Sequence, residues 1–208
     1  MSDTEGIVDR RAEFPKFTPV TPPPSYGAFV EAMRDLMDLA VASDADDAAY
    51  ALAAEQIRRA SATLAPHREA TEAAGPASRV PELPGRGNPM QIPWRMERFD
   101  DDGIRSIVRF RRAHLGGHSA AHGGMIAQLF DEHLGWIVYS GGHPIARTAY
   151  LKVDYRKVTP LDTDLVLDGW IERVEGRKMF VRATLATPDG TLLAECEALM
   201  IALLPHNA

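Results

Sequence analysis

Ten consecutive residues, His122-Gly-Gly-Met-Ile-Ala-Gln-Leu-Phe-Asp131, restrict what this chain can fold into more than any other stretch. A His-Gly-Gly corner opens an apolar run that reaches Tyr139, and Asp131 falls where the pattern expects an apolar residue. The run predicts a helix that begins just after His122 and ends near 139. In such a helix Gly124 and Asp131, seven positions apart, share nearly one face two turns from each other. The helix start offers unpaired backbone N–H groups and the positive end of the dipole; the same face then offers a carboxylate. That combination suits a polarised carbonyl together with a base or nucleophile. The bland alternatives are a solvent-facing acid at 131, or an ion pair with Arg147 or Arg156. Two helical turns separate the groups by about 10 Å, too far for both to meet one carbonyl through backbone positions alone.

The flanking sequence supplies the frame. Residues 95–99 and 104–110 are strand-like around Asp100-Asp-Asp-Gly103, the signal of a hairpin. After the helix, Ala146–Lys157 alternates, with Ala149, Leu151, Val153 and Tyr155 on one face and Thr148, Tyr150, Lys152, Asp154 and Arg156 on the other. Strands at 165–174, 178–187 and 191–204 follow, separated by Glu175-Gly176 and Pro188-Asp-Gly190. One helix followed by a meander of long antiparallel strands is an α+β layout, with the helix laid on one sheet.

The N-terminal half reads differently. Residues 1–26 hold five prolines and predict an extended or disordered arm. Over 27–73 the spacing of Phe29, Met33, Leu36 and Met37, then of Tyr50, Ala53, Ile57, Ala60 and Leu64, predicts a helical hairpin, with Ser43 or Asp44 capping its second helix. Residues 74–94, rich in Pro and Gly, form a linker or an irregular wrap, and 95–208 form the main domain.

Charge and cysteine content narrow the function classes. A net charge of -6 argues against a general nucleic-acid binder. Cys196 is the only cysteine, which excludes an intramolecular disulfide framework and points to a reducing compartment. Residues 1–11 carry no signal-peptide pattern, and no apolar run is long enough for a membrane span, so a cytoplasmic protein is expected. His114, His118 and His122 recur every four residues, but Gly116-Gly117 breaks any helix through them, and no metal site is expected.

With His122-Gly-Gly124, Asp131 nine positions on, and the strand Ala146–Lys157 closed by Pro160, residues 95–204 resemble a hotdog-fold acyl-CoA thioesterase domain of the PaaI-like and THEM4-like branch. The resemblance implies a curved antiparallel sheet wrapped around a central helix, and sheets paired in a dimer or a dimer of dimers. Active sites would lie at the subunit interface, and no cofactor is implied. It implies that Gly124 N–H, with Gly123, polarises the thioester carbonyl, and that Asp131 activates water or attacks directly. Thr148 would face the acid from the partner subunit, Met125 and Leu129 would line an acyl tunnel, and Arg156 and Lys157 would meet CoA phosphates. The family often places an Asn or Gln shortly before His-Gly-Gly. This chain has Leu115-Gly-Gly-His-Ser-Ala-Ala121 there, leaving His118, Ser119 or the His122 ring for that task. A non-catalytic acyl-CoA-binding or scaffold protein is the competing reading.

Overall fold

The computed structural model describes residues 18–68 and 75–203. The first seventeen residues of the expected arm, and residues 69–74 around the hairpin-to-linker boundary, lie outside the described residues. Six antiparallel strands form one sheet: β1 (Trp94–Asp100), β2 (Gly103–Arg109), β3 (Ala146–Tyr155), β4 (Asp164–Glu175), β5 (Lys178–Ala186) and β6 (Leu192–Ala202). Three helices accompany them: α1 (Tyr26–Ala42), α2 (Asp47–Leu64) and α3 (Gly123–Ser140).

The spatial order is β1-β2-β4-β5-β6-β3. Of the three or four strands expected in a meander after the helix, β4, β5 and β6 form one. β3 crosses to the far edge and pairs with β6 along one side, while β2 pairs with β4. α3 lies across β2 to β6. It buries Ile126, Leu129, Phe130, Leu134, Ile137 and Val138 against Leu165, Leu167, Val181, Leu185, Ala198 and their neighbours. Burying a side chain of this kind contributes roughly 1.5–3 kcal/mol, so the apolar run is what fastens the helix to the sheet.

The N-terminal elements divide. α1 buries Val30 and Arg34. The Arg34 guanidinium, 2% exposed, donates to the carbonyls of Pro84 (2.8 Å) and Asn88 (3.1 Å) and pairs with Glu31. Residues 75–93 are held to α1 by these bonds and bury their own Val80 and Ile92. α2 starts from an Asp46 cap, not Ser43 or Asp44; Asp46 accepts from the Ala49 N–H. None of its residues is buried, and Tyr50, Leu52, Ile57 and Leu64 are exposed. The two helices follow one another in the chain but do not bury their apolar stripes against each other.

Candidate active site

The start of α3 is held by its own cap. His122 is the N-cap residue, and its Nδ1 accepts the Gly124 N–H at 3.0 Å, which places the ring proton of a neutral imidazole on Nε2. A Cβ at Gly124 would lie 3.1 Å from that Nδ1, so the ring can fold back only over a glycine. The Gly124 amide, the expected carbonyl donor, is therefore occupied within the protomer. The His122 carbonyl accepts from the Met125 and Ile126 N–H groups. In this first turn the Gly123 N–H alone has no acceptor among the described residues.

The segment before His122 is shaped by tertiary contacts. His118 and Ser119 both take left-handed φ values, 55° and 58°, a conformation that costs energy for residues with a Cβ. The His122 N–H donates to the His114 carbonyl at 2.8 Å, and Ala121 donates to Thr159 O at 2.9 Å. His114 is buried, which holds its pKa below the ordinary histidine range, and its Nδ1 accepts the Arg111 N–H. The Arg111 side chain pairs with Glu31, Asp35 and Asp38 of α1. Asp38 also accepts the Ala113 N–H at 2.8 Å. α1 is thus a brace for the turn that delivers His122. Sequence periodicity had no means of assigning it that task.

Asp131 lies two turns into α3 and is exposed, so its charge carries no burial cost in the protomer. Its Oδ1 accepts the Thr148 hydroxyl at 2.9 Å. This bond lies within one chain, between β3 and α3. Arg156 is engaged by Glu195 (2.6 Å) and Asp154 (3.6 Å). Lys157 is exposed and has no described salt bridge. Met125 is half-buried and packs against the core, while Leu129 is 1% exposed inside it, so Leu129 lines no open tunnel in the protomer.

Two residues of the site escaped sequence reading. Gln128 is exposed, four positions after Gly124 and three before Asp131, on one face with both. It places an amide side chain on the same helix face as the acid, downstream of His122 rather than upstream of it; its spacing is visible in the sequence. Tyr155 donates its hydroxyl to the Gly123 carbonyl at 2.9 Å. No local signal marked it. Among the described residues no group of three or more His, Cys, Asp or Glu side chains is arranged to hold a metal, and the three spaced histidines do not converge. Cys196 is buried, and burial pushes its thiol up to about 12.

Residues 118–194 match the thioesterase superfamily model. A structure of a thioesterase superfamily protein, 28% identical, superposes with a TM-score of 0.75 over 87% of this chain and 97% of its own. The match to the thioesterase superfamily model lies within a helix wrapped by a six-stranded antiparallel sheet, the layout of the hotdog fold. A protein of Streptococcus mutans solved bound to acetyl CoA shares the fold at 22% identity and a TM-score of 0.51, over 53% of this chain and 89% of its own. The acyl-coenzyme A thioesterase THEM4 of Rattus norvegicus is 39% identical over 96 residues, 45% of this chain and 41% of that protein. The chain thus spans about two fifths of the length of the curated relatives it matches. The 87% coverage is longer than residues 95–203, so the superposition also takes in part of the N-terminal segments.

Proposed function

We propose that this hotdog domain hydrolyses acyl-CoA thioesters to a free acid and CoA. The observation that carries the reading is the exposed Asp131–Thr148 pair on the face of α3 whose first turn leaves the Gly123 N–H without an acceptor. The name of the rat relative, acyl-coenzyme A thioesterase, supports the substrate class. The Thr148 hydroxyl occupies Oδ1 and orients the carboxylate, leaving Oδ2 toward solvent as a general base. Asp131 takes a proton from water as the hydroxyl oxygen bonds to the thioester carbon. The carbonyl oxygen gains charge against an N–H donor at a helix start. The tetrahedral intermediate then collapses, the C–S bond breaks, and the thiolate of CoA leaves and is protonated. Gln128 has the reach and the chemistry to hold the water or the carbonyl.

Gly123 and Asp131 are eight residues apart, about 12 Å along the helix axis, so one protomer does not bring both to a single carbonyl. A homodimer resolves the distance by pairing the helix start of one subunit with the acid of the other. The unpaired outer edge of β3 and the exposed Gly124, Gln128 and Asp131 supply the surface for it. Lys157 is the better candidate for a CoA phosphate, since Arg156 is engaged by carboxylates.

Asp131→Asn tests the mechanism by measuring free-thiol release alongside acyl-CoA binding. Turnover should fall by about 10²–10⁴-fold with binding retained. Unchanged turnover would sink the mechanism, and binding without turnover in the unaltered protein would favour the scaffold reading.

A further inference from the structure

We propose that Tyr155 is a positioning residue for the carbonyl-polarising amide at the start of α3. The inference rests on the thioesterase reading for its catalytic consequence and on hydrogen bonds for its geometry.

The first turn of α3 contains two adjacent glycines, each costing about 1 kcal/mol relative to alanine in a helix and free to swing its peptide planes. An N–H donor accelerates a reaction only when it is held where charge will develop. The peptide unit between Gly123 and Gly124 is gripped at both ends. Its carbonyl accepts the Tyr155 hydroxyl at 2.9 Å, and its N–H is taken by His122 Nδ1 at 3.0 Å. The preceding peptide, which carries the Gly123 N–H, is fixed through the His122 carbonyl, which accepts from Met125 and Ile126, and the peptide before it is held by the His122 N–H, which donates to His114. Gly123 thus stands between two immobilised peptide planes, and its own N–H, the unpaired one, has a defined direction.

Tyr155 is suited to this by location as well as chemistry. It ends β3, which crosses to the far edge of the sheet, so it ties the helix start to a different element from the loop that carries His122. Its ring lies flush on the glycine: a Cβ at Gly123 would stand 3.3 Å from both the ring carbon Cζ and the hydroxyl oxygen. With 54% of its surface exposed, Tyr155 adds little to the core, so its contact with Gly123 is the specific thing it contributes.

Tyr155→Phe removes the hydroxyl and keeps the ring. Amide hydrogen exchange at Gly123 and Gly124, kcat and KM with an acyl-CoA substrate, and the thermal midpoint should be measured on the full chain. The expected result is exchange at Gly124 faster by about tenfold, kcat lower by about tenfold, and KM within twofold of the unaltered protein. The thermal midpoint should hold within a few degrees, which separates positioning from a structural role. Exchange and kcat both unchanged would overturn the proposal, as would a fall in kcat matched by general loss of fold. Faster exchange with unchanged kcat in an active enzyme would overturn the positioning role. Should the unaltered protein release no thiol, the thioesterase reading fails. Exchange in the variant then still decides whether Tyr155 holds the amide.

Discussion

Thr148 and Tyr155 lie seven positions apart on β3, yet both direct their side chains at α3, Thr148 to Asp131 and Tyr155 to Gly123. Strict alternation would put them on opposite faces of the strand. The register with β6 shifts between Thr148 and Tyr150, leaving Ala149 as an extra residue that returns Thr148 to the face of Leu151, Val153 and Tyr155. One bulge therefore places both β3 contacts of the site.

Deleting Ala149 should restore regular alternation and turn Thr148 away from Asp131. Activity should fall at least as far as in Thr148→Val, for which about a tenfold loss in kcat is expected from the lost hydrogen bond to the carboxylate. Steady-state thiol release on both variants checks this. Full activity in the deletion would show that the bulge does not serve the site.

Gly123→Ala should be nearly silent in most helix starts, but here the added methyl meets the Tyr155 ring. The outcome expected is a loss of kcat of about tenfold or more with only a small change in the denaturation midpoint. Comparing kcat with the urea midpoint for this one variant decides it.

Asp38→Ala should destabilise the protein although Asp38 is remote in sequence from the site. It removes the acceptor for Ala113 N–H and one of three acids on Arg111, both about four-fifths buried side chains. A cost of about 1–3 kcal/mol is expected for leaving a partly buried donor unmet. Equilibrium urea unfolding measures it, and a change within error would mean that α1 is not a brace.

His114 sets a pH dependence. Its folded pKa lies below the unfolded value of 6.5 because burial disfavours the charged ring. As pH falls through about 6.5 the unfolded chain takes up a proton that the folded state does not, so stability declines until pH reaches the folded pKa. His114→Gln keeps an acceptor for the Arg111 N–H and removes the titration. Urea midpoints at pH 7.5 and pH 5 should differ less in this variant than in the unaltered protein. An equal difference would place the dependence on other groups.

The sequence by itself determined the parts whose signals are short-range. The apolar run after His122 made α3, the glycine corner made its start, turn residues separated β4 from β5 and β5 from β6, and the acid at 131 announced the site. The spacing of Gln128, four residues from Gly124 on the same face, was open to the sequence, but its exposure beside the acid came from the structure. The tertiary structure decided everything that depends on which strand lies beside which. It sent β3 to the far edge against β6, put the bulge at Ala149, and brought Thr148 to the Asp131 of its own chain. It also gave the Gly124 amide to the His122 ring, and made α1 a brace through Arg111. Alternation along a strand reports one face or the other only while the register is regular. Register is set by hydrogen bonds to a strand some fifty residues away, which local spacing does not encode.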